Sequence, residues 1–401
     1  EKGAADPDRV LQLFFAYLDK LREEGPQDWL YAEQSRLADL SFRFREQDGP
    51  MQYVSALASG MQHYAPQDIL RGPYLMDDYQ ESLLAQLLQA VSPGNALVTF
   101  IDKAVQGDRV SKYYEVPYAR KSLDLKRVAI SADDAGAAAM HLPAPNEFIA
   151  EDVSLVALPE SMPAAPQVAL EVDRQKIWFM PDAEFRVPRG LTNINFRSPE
   201  VGQTAGQAVL VSLYTAMLMD QVNEFAYPAY LAGMSFDFYQ HNQGISLRVG
   251  GYNDKQTLLL QHLLERMVEP TFSQHRFDDI RADMIRSLQN SVAKRPSSQV
   301  IDDLNEALVY GEWGEEALIA ALEKTDMSDL DDYVRRFWTS AAAEVLIYGN
   351  YHADEVQQLS KMLESVVSSA PAPILPERRV LQLTPGELVQ YPVTVPHDDS
   401  V

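Results

Sequence analysis

The sequence predicts an α+β fold of duplicated domains, in which helices pack on a mainly antiparallel sheet. Amphipathic helical segments dominate residues 8–90 and 255–338, and short apolar or alternating segments that favour strands lie between these two runs. The second run repeats the order of the first at an offset of about 250 residues. A period of that length indicates duplicated domains rather than a solenoid of much shorter repeats.

The first run is predicted to be mainly helical. Its first helix is expected to begin at Asp8, a candidate N-cap, and to end before Gly25 and Pro26, because apolar residues recur between these points in helical spacing. The short, β-branched segment 96–102 follows a turn at Pro93 and is predicted to be a strand. The helices expected in this run cover residues 8–24, 28–44, 50–63 and 77–90.

Residues 131–170 differ in composition from both runs. They are rich in Ala, Asp and Pro, which favours an extended connector over a packed element. The predicted organisation is a mostly helical C-terminal part of a domain over 1–135, a linker over 136–170, a complete domain over 171–370, and a linker with the start of a following domain over 371–401.

The second run is predicted to contain strands as well as helices. Residues 176–180 and 185–198 are predicted to be paired strands, and residues 235–240 and 244–252 a hairpin around a turn that contains Asn242. A further strand is predicted over 344–350. The helices expected in this run are one or two over 200–232 and single helices over 258–270, 275–292, 300–309, 315–323 and 328–338.

The repeat rests on four corresponding positions. These are Trp29 with Phe277, Pro50 with Pro296, Tyr79 with Tyr333, and Phe100 with Tyr348. Strands precede the helices of the second copy but not those of the first, so the first copy is expected to be truncated. Its helices should then leave apolar surface exposed or covered by a partner.

Composition excludes several classes of partner and chemistry. With 46% apolar and 23% charged residues, the chain is expected to fold around a core. Its net charge of -24 repels nucleic acid, and this acidity serves solubility or attracts cationic peptides. The lack of cysteine excludes disulfides, thiolate metal sites and a Cys nucleophile. No apolar run approaches the roughly 18 residues of a membrane span.

The residues needed for a zinc peptidase site are not found in a suitable pattern. Such a site usually places two His on one helical face with a Glu beside them. The nearest approximations are His262 with Glu265, where Arg266 takes the place of a second His, and His352 with Glu355; a polar residue on an amphipathic helix explains both. No nucleophile or phosphate-binding motif is present either, so no catalytic residue and no metal ligand is predicted.

Two segments could bind a ligand. Arg43 and Arg45 alternate with aromatic residues in an acidic chain. Their guanidinium groups could contact anions or peptide carboxylates. The alternative is that the aromatic rings pack while the arginines are solvated. The segment Gly250–Gln256 forms a strand-to-helix turn where Asp254 could be the N-cap of the next helix or a ligand contact.

Several long segments occur in order along the chain, namely KLREEGPQDW, LSFRFREQDGP, LPAPNEFIAED, KIWFMPDAEFRVPRG, NEFAYPAYLAGMSFDF and VGGYNDKQ. In this order they resemble the middle of the insulysin/pitrilysin family of zinc metallopeptidases. The resemblance implies metallopeptidase-like α/β domains, as in processing peptidases, of which this chain holds the end of the second and the whole third. It also implies a zinc site in the first domain of the parent enzyme, and no position of this chain matches its ligands. Arg43 and Arg45 match a pair of basic residues on the inner surface of the family's chamber.

The expected function follows from this resemblance. The chain would be a non-catalytic middle segment of a zinc metalloendopeptidase that degrades small peptides, inactive alone, and would form chamber wall and substrate-enclosing scaffold. Its partners would be peptide substrates and the remaining domains of the same polypeptide. Two alternatives are a peptide-binding module and a non-catalytic subunit. The resemblance favours a periplasmic parent, and a cytoplasmic one stays possible.

Overall fold

The structure is a computed structural model that describes residues 6–104, 106–129, 134–367, 374–375, 379–390 and 392 of the 401-residue chain. It divides into two compact units, unit 1 over Glu1–Pro145 and unit 2 over Asn146–Val401. The predicted start of a further domain near the C-terminus lies largely outside the described residues. Among the helices that are described, none combines the length and the apolar character that crossing a membrane requires.

Unit 1 is mainly helical, as predicted. Its small core lies where α1 contacts α4 and α5, and Phe15, Leu18 and Val128 are buried there. Its elements are α1 (Pro7–Glu24), α2 (Asp28–Arg43), α3 (Pro50–Gly60), α4 (Glu81–Ala90), the short antiparallel pair β1 (Arg109–Val110) and β2 (Pro117–Tyr118), α5 (Leu125–Val128) and α6 (Ala135–Ala138).

Two helix starts in unit 1 differ from the prediction. Asp6, and not Asp8, is the N-cap of α1, and its side chain accepts the backbone N–H of Arg9 at 3.1 Å. Helix α4 begins four residues later than predicted because tertiary hydrogen bonds hold the preceding segment outside the helix. Tyr79 donates its hydroxyl to a backbone carbonyl at 2.9 Å, and the carbonyl of Asp78 accepts the Tyr31 hydroxyl at 2.8 Å.

The predicted strand over residues 96–102 is wrong. The segment has no regular structure, and Leu97 and Ile101 are 87% and 89% exposed. A strand requires a hydrogen-bonding neighbour, and the described part of unit 1 offers none here, since β1 and β2 pair only with each other. Strand propensity without a partner strand therefore leaves this segment irregular and largely exposed.

Unit 2 contains a six-stranded sheet with helices packed on it. The strands are β3 (Gln167–Val172), β4 (Gln175–Pro181), β5 (Arg189–Arg197), β6 (Ser235–His241), β7 (Gly244–Tyr252) and β8 (Ala342–Gly349), in the spatial order β3-β4-β8-β5-β7-β6. Neighbours are antiparallel except for β4 and β8. The protein is thus a mixed α+β fold with a mainly antiparallel sheet.

The helices of unit 2 follow the predicted order. Within residues 200–232, where one or two helices were predicted, there is a single helix over Ala205–Leu231. The other predicted helices differ from the structure by a few residues at their ends, and the helix at Glu355–Glu364 was not predicted. The helices are α7 (Ala205–Leu231), α8 (Gln256–Val268), α9 (Gln274–Gln289), α10 (Pro296–Leu308), α11 (Glu315–Lys324), α12 (Met327–Ser340) and α13 (Glu355–Glu364).

The strand pairing corrects one prediction and extends the sheet. The β6–β7 hairpin forms as predicted, but β4 and β5 are not paired with each other, because β8 lies between them and bonds to both. The chain returns through α7 to α12 before it adds β8, so this central strand comes last in sequence. Strand β3 begins at Gln167, inside the segment whose composition favours a connector.

The core of unit 2 lies between the sheet and α7, α8 and α12. Trp338 donates its indole N–H to the Tyr214 hydroxyl at 2.8 Å and to the Met267 carbonyl at 2.9 Å, while Phe196 and Phe337 pack against the indole. All five are buried, and burial raises the pKa of Tyr214. The sheet is therefore fixed on this face, which leaves the other face for contact with ligands or further protein.

Candidate functional site

The zinc-like sequence patterns do not form a metal site. His262 and Glu265 lie one turn apart on α8 with Nδ1 and Oε2 at 3.9 Å, and Arg266 stacks over the Phe225 ring at 3.9 Å. Glu355 accepts the backbone N–H of His352 at the start of α13. Across the described residues, no group of three or more His, Cys, Asp or Glu side chains is placed to hold a metal ion.

Arg43 and Arg45 lie at the end of α2 and in the loop that follows it. Arg43 forms an ion pair with Asp39 at 3.4 Å and lies over the Phe44 ring, 5.2 Å from its centroid. Arg45 is paired with Asp48, and this hydrogen bond raises the pKa of Arg45. Both guanidinium groups are partly exposed, so an anion could reach them while they keep their carboxylate partners.

The turn after β7 is held by different bonds from those predicted. Asp254 is not the N-cap of α8; its carboxylate accepts the backbone N–H groups of Glu151 and Asp152 at 2.9 and 3.3 Å. Gly251 has φ +112°, and a Cβ there would overlap with the Gly233 carbonyl. The glycine thus permits close approach of two backbones, and Asp254 attaches the segment before β3 to the start of α8.

The sheet has one face directed to the helices and one that we name the open face. On β5, Thr192, Ile194 and Phe196 are buried toward the helices, whereas Asn193, Asn195 and the other residues that alternate with them are less buried. The same alternation continues through β8. In β7 only Arg248 is clearly exposed, and Gly244 and Ser246 are buried although the register directs them to the open face, because aligned residues on neighbouring strands point to the same side.

The register places the open-face residues in rows across the strands. One row consists of Tyr239, Ser246, Asn195, Glu344 and Lys176, and the next contains His241, Gly244, Arg197 and Ala342. In these rows the small residues Ser246 and Gly244 of β7 lie between larger polar side chains, Tyr239 and Asn195 in the first row and His241 and Arg197 in the second. A depression therefore forms over the middle of the two rows.

This depression is a cavity of about 360 Å³, which we name the open-face cavity. It is lined by Asn195, Arg197, Tyr239, His241, Gln243, Ser246 and Glu344. A volume of that size lies within the range of small-molecule sites, and hydroxyl, amide, imidazole and guanidinium groups provide both donors and acceptors.

Arg197 and Glu344 form the charged wall of the cavity. The two side chains are ion-paired and each about one-third exposed. Glu344 also accepts the indole N–H of Trp178 at 3.0 Å, and Lys176 lies over that indole, 5.0 Å from the ring centroid. Glu344 therefore has a second donor, which fixes its carboxylate and orients the guanidinium of Arg197.

His241 is held in one tautomer on the opposite side. Its Nδ1 accepts the backbone N–H of Gln243 at 3.2 Å, so in the neutral ring the proton resides on Nε2. Burial, together with the charge of Arg197, lowers the pKa of His241 and favours this neutral form. Nε2 is buried and has no hydrogen-bond partner among the described residues, which leaves a donor without an acceptor.

The fold and site define a class of protein: mixed α+β units with helices on a mainly antiparallel sheet and no metal cluster among the described residues. The sequence profile of the "Middle or third domain of peptidase_M16" matches residues 42–321. The chain belongs to this family, as the resemblance to insulysin and pitrilysin predicted.

Individual relatives agree with this assignment. The chain is 28% identical to the insulin-degrading enzymes of Homo sapiens and Bos taurus, over 98% of its own length and 38% of theirs. It is 26% identical to the A-factor-processing enzyme of Saccharomyces cerevisiae over 89% of its length and 35% of that enzyme. The crystal structure of pitrilysin matches 90% of the chain with a TM-score of 0.73 at 20% identity, and the match covers 38% of pitrilysin.

Arg43 and Arg45 were predicted from the sequence, whereas the open-face cavity was not. The structure places Arg43 and Arg45 close together in unit 1, whereas Arg197, His241 and Glu344 belong to three strands of unit 2. A signal was present in the alternating polar residues of β5. It could not be interpreted without the strand order and register, which place β8 on one side of β5 and β7, followed by β6, on the other.

Proposed function

We propose that the chain is the non-catalytic middle segment of a zinc metalloendopeptidase that degrades small peptides, and that it forms part of the wall of a substrate-enclosing chamber. The observation that carries the proposal is the family match over residues 42–321. The names of the relatives support peptide processing, and the chain spans about 38% of the length of the insulin-degrading enzymes that it matches. Zinc and its ligands would be supplied by another part of the same polypeptide.

The domain limits proposed from the sequence remain part of this proposal. Residues 1–135 would complete the second domain of the parent, 136–170 would link it to the next, 171–370 would be the third domain, and 371–401 would lead into the fourth. The exposed apolar surface of unit 1 supports this arrangement. Helices α3 and α4 bury none of their residues, and Met51 and Leu87 are 77% and 58% exposed. Such a surface favours a covering partner.

The test of this proposal separates the chain from the complete polypeptide. The purified 401-residue chain should not cleave a quenched fluorescent peptide. A polypeptide in which a domain bearing an H-x-x-E-H motif precedes it should cleave that peptide and lose activity with a zinc chelator. Chelator-sensitive cleavage by the chain alone would show the proposal to be wrong.

We further propose that Arg43 and Arg45 contact peptide substrate. In the complete enzyme, Arg43→Gln with Arg45→Gln should raise KM about 2- to 10-fold and leave kcat nearly unchanged. A partly exposed contact with a substrate carboxylate is weak and is made equally in the ground state and the transition state, so its loss affects binding and not the chemical step. Arg71→Gln is the matched control, since Arg71 is also an exposed arginine paired with an aspartate in unit 1. An unchanged KM in the double variant, or an equal change in the control, would exclude the substrate role.

A further inference from the structure

The open-face cavity contains an arrangement of groups that the fold itself does not require. The sheet is stabilised through its other face, where the strands pack on the helices. On the open face, His241, Gly244 and Arg197 lie in one row across three strands. Gly244 has no side chain to fill the space between the other two. Arg197 on β5 and His241 on β6 therefore both line the cavity, with β7 between them.

We propose that the open-face cavity binds the carboxylate group of a peptide, with Arg197 and the Nε2–H of His241 as the two donors. The guanidinium group has five N–H donors and can bind a second carboxylate while it keeps Glu344. The buried Nε2–H gains the acceptor that the described residues do not provide, and this removes the cost of an unsatisfied donor.

The charges of the cavity favour a carboxylate over other ligands. Arg197 is the cation in its lining and Glu344 the anion, so a dianionic phosphate would meet only one cation in a chain of net charge -24. An ammonium group is disfavoured as well, because Glu344 already accepts from Arg197 and Trp178. A single negative charge with two acceptor oxygens matches one guanidinium and one neutral N–H.

The remaining lining groups suit a peptide. Tyr239, Gln243 and Ser246 carry hydroxyl and amide groups, which can donate to and accept from the main chain that bears the carboxylate. The carboxylate could come from the C-terminus of a peptide or from an acidic side chain. The site is a property of unit 2, so it is independent of the proposed role of the chain within a larger enzyme.

The experiment measures binding of three short peptides to the 401-residue chain by calorimetry and by NMR chemical shifts. The probes are acetyl-trialanine with a free C-terminal acid, the same peptide as its amide, and acetyl-Ala-Asp-Ala-amide. The free acid or the Asp peptide should bind at least about tenfold more tightly than the neutral amide, since a hydrogen bond to a charged group is lost with the carboxylate. The tighter of the two identifies the source of the carboxylate.

The variants assign the binding to the cavity. Arg197→Gln should weaken carboxylate binding about tenfold or more, while Arg248→Gln, an exposed arginine on the same face outside the cavity lining, should leave it unchanged. His241→Asn retains an acceptor for the Gln243 N–H but has no Nε2–H donor, so it should weaken binding severalfold, about 3- to 10-fold, without loss of folding.

Folding of the arginine variant is controlled separately. The double variant Arg197→Gln with Glu344→Gln removes both charges of the pair, leaves no carboxylate without its cation, and should show the same loss of binding. Equal affinity for acid and amide peptides, no binding of any probe at millimolar concentration, or full affinity in the folded double variant would each overturn the proposal.

Discussion

Gly244 provides a sharp test of how the open-face cavity is built. It begins β7 and lies opposite Arg197 of β5. A Cβ at this position would overlap with the carbonyl oxygen of Phe196, and it would lie 2.8 Å from the carbonyl carbon, where ordinary contacts are 3.4–4 Å. Because the obstacle is backbone, Gly244→Ala must push β7 away from β5.

The expected loss of stability can be estimated from these contacts. Inserting a methyl group into close-packed structure costs about 1–3 kcal/mol, and the reduced freedom of the unfolded chain offsets about 0.4–1 kcal/mol of this. Because the obstacle is backbone, the cost lies at the upper end, about 2–3 kcal/mol, and the net loss is about 1–2.6 kcal/mol, which lowers Tm by about 2–10 °C for a unit of this size. Gly250→Ala is the matched control, because Gly250 also lies in β7 opposite β5, and its Cβ would be 3.3 Å from the rotatable Ser235 hydroxyl.

The assay is thermal unfolding followed by tryptophan fluorescence in a Trp29→Phe background. The chain has four tryptophans, and this substitution leaves Trp178, Trp313 and Trp338, which all lie in unit 2. Gly244→Ala should unfold below the parent, and Gly250→Ala should match or exceed the parent. If Gly244→Ala were as stable as Gly250→Ala, the close approach of β5 and β7 would be refuted as the reason for this glycine.

Three further predictions concern bonds elsewhere in the chain. Hydrogen bonds from Arg9 and from backbone N–H groups lower the pKa of Asp134 to about 2. The stabilising contribution of the Asp134 carboxylate is therefore present above its ordinary pKa and is lost as pH falls from about 4 to 2. Arg9→Gln should raise the pKa of Asp134 in an NMR titration, and an unchanged value would exclude the ion pair. Phe337→Ala should destabilise unit 2 by about 3–5 kcal/mol in urea unfolding because Phe337 is fully buried, and a loss below about 1 kcal/mol would contradict its place in the core. Asp254→Ala should speed hydrogen exchange at the Glu151 amide, whereas Asp254→Asn, which keeps an acceptor oxygen, should restore much of the protection; equal exchange in both variants would exclude the bond.

Local sequence patterns predicted the helices of both units well. Apolar spacing is a short-range property, so α1, α2 and α8 to α12 were found with shifts of a few residues at their ends. Helix ends depend on single hydrogen bonds, which explains why Asp6 rather than Asp8 caps α1. The β6–β7 hairpin was found for the same reason, because its two strands are separated only by a short turn.

Pairing between distant segments could not be predicted in this way. The two β-rich segments at 96–102 and 344–350 look alike in sequence, yet only the second, as β8, has strands on both sides. A strand gains its hydrogen bonds from its neighbours, so its propensity is realised only where partners are available. Asp254 illustrates the same limit, because its partners lie about 100 residues earlier in the chain.

The sequence by itself determined the balance of helix and strand, the family, and the lack of a recognisable zinc-binding pattern, because these depend on residue types and their spacing. Only the tertiary structure decided that β8 lies between β4 and β5 and that Arg197, Glu344 and His241 line one cavity. The physical reason is the register of the sheet: a shift by one residue would turn every one of these side chains to the other face.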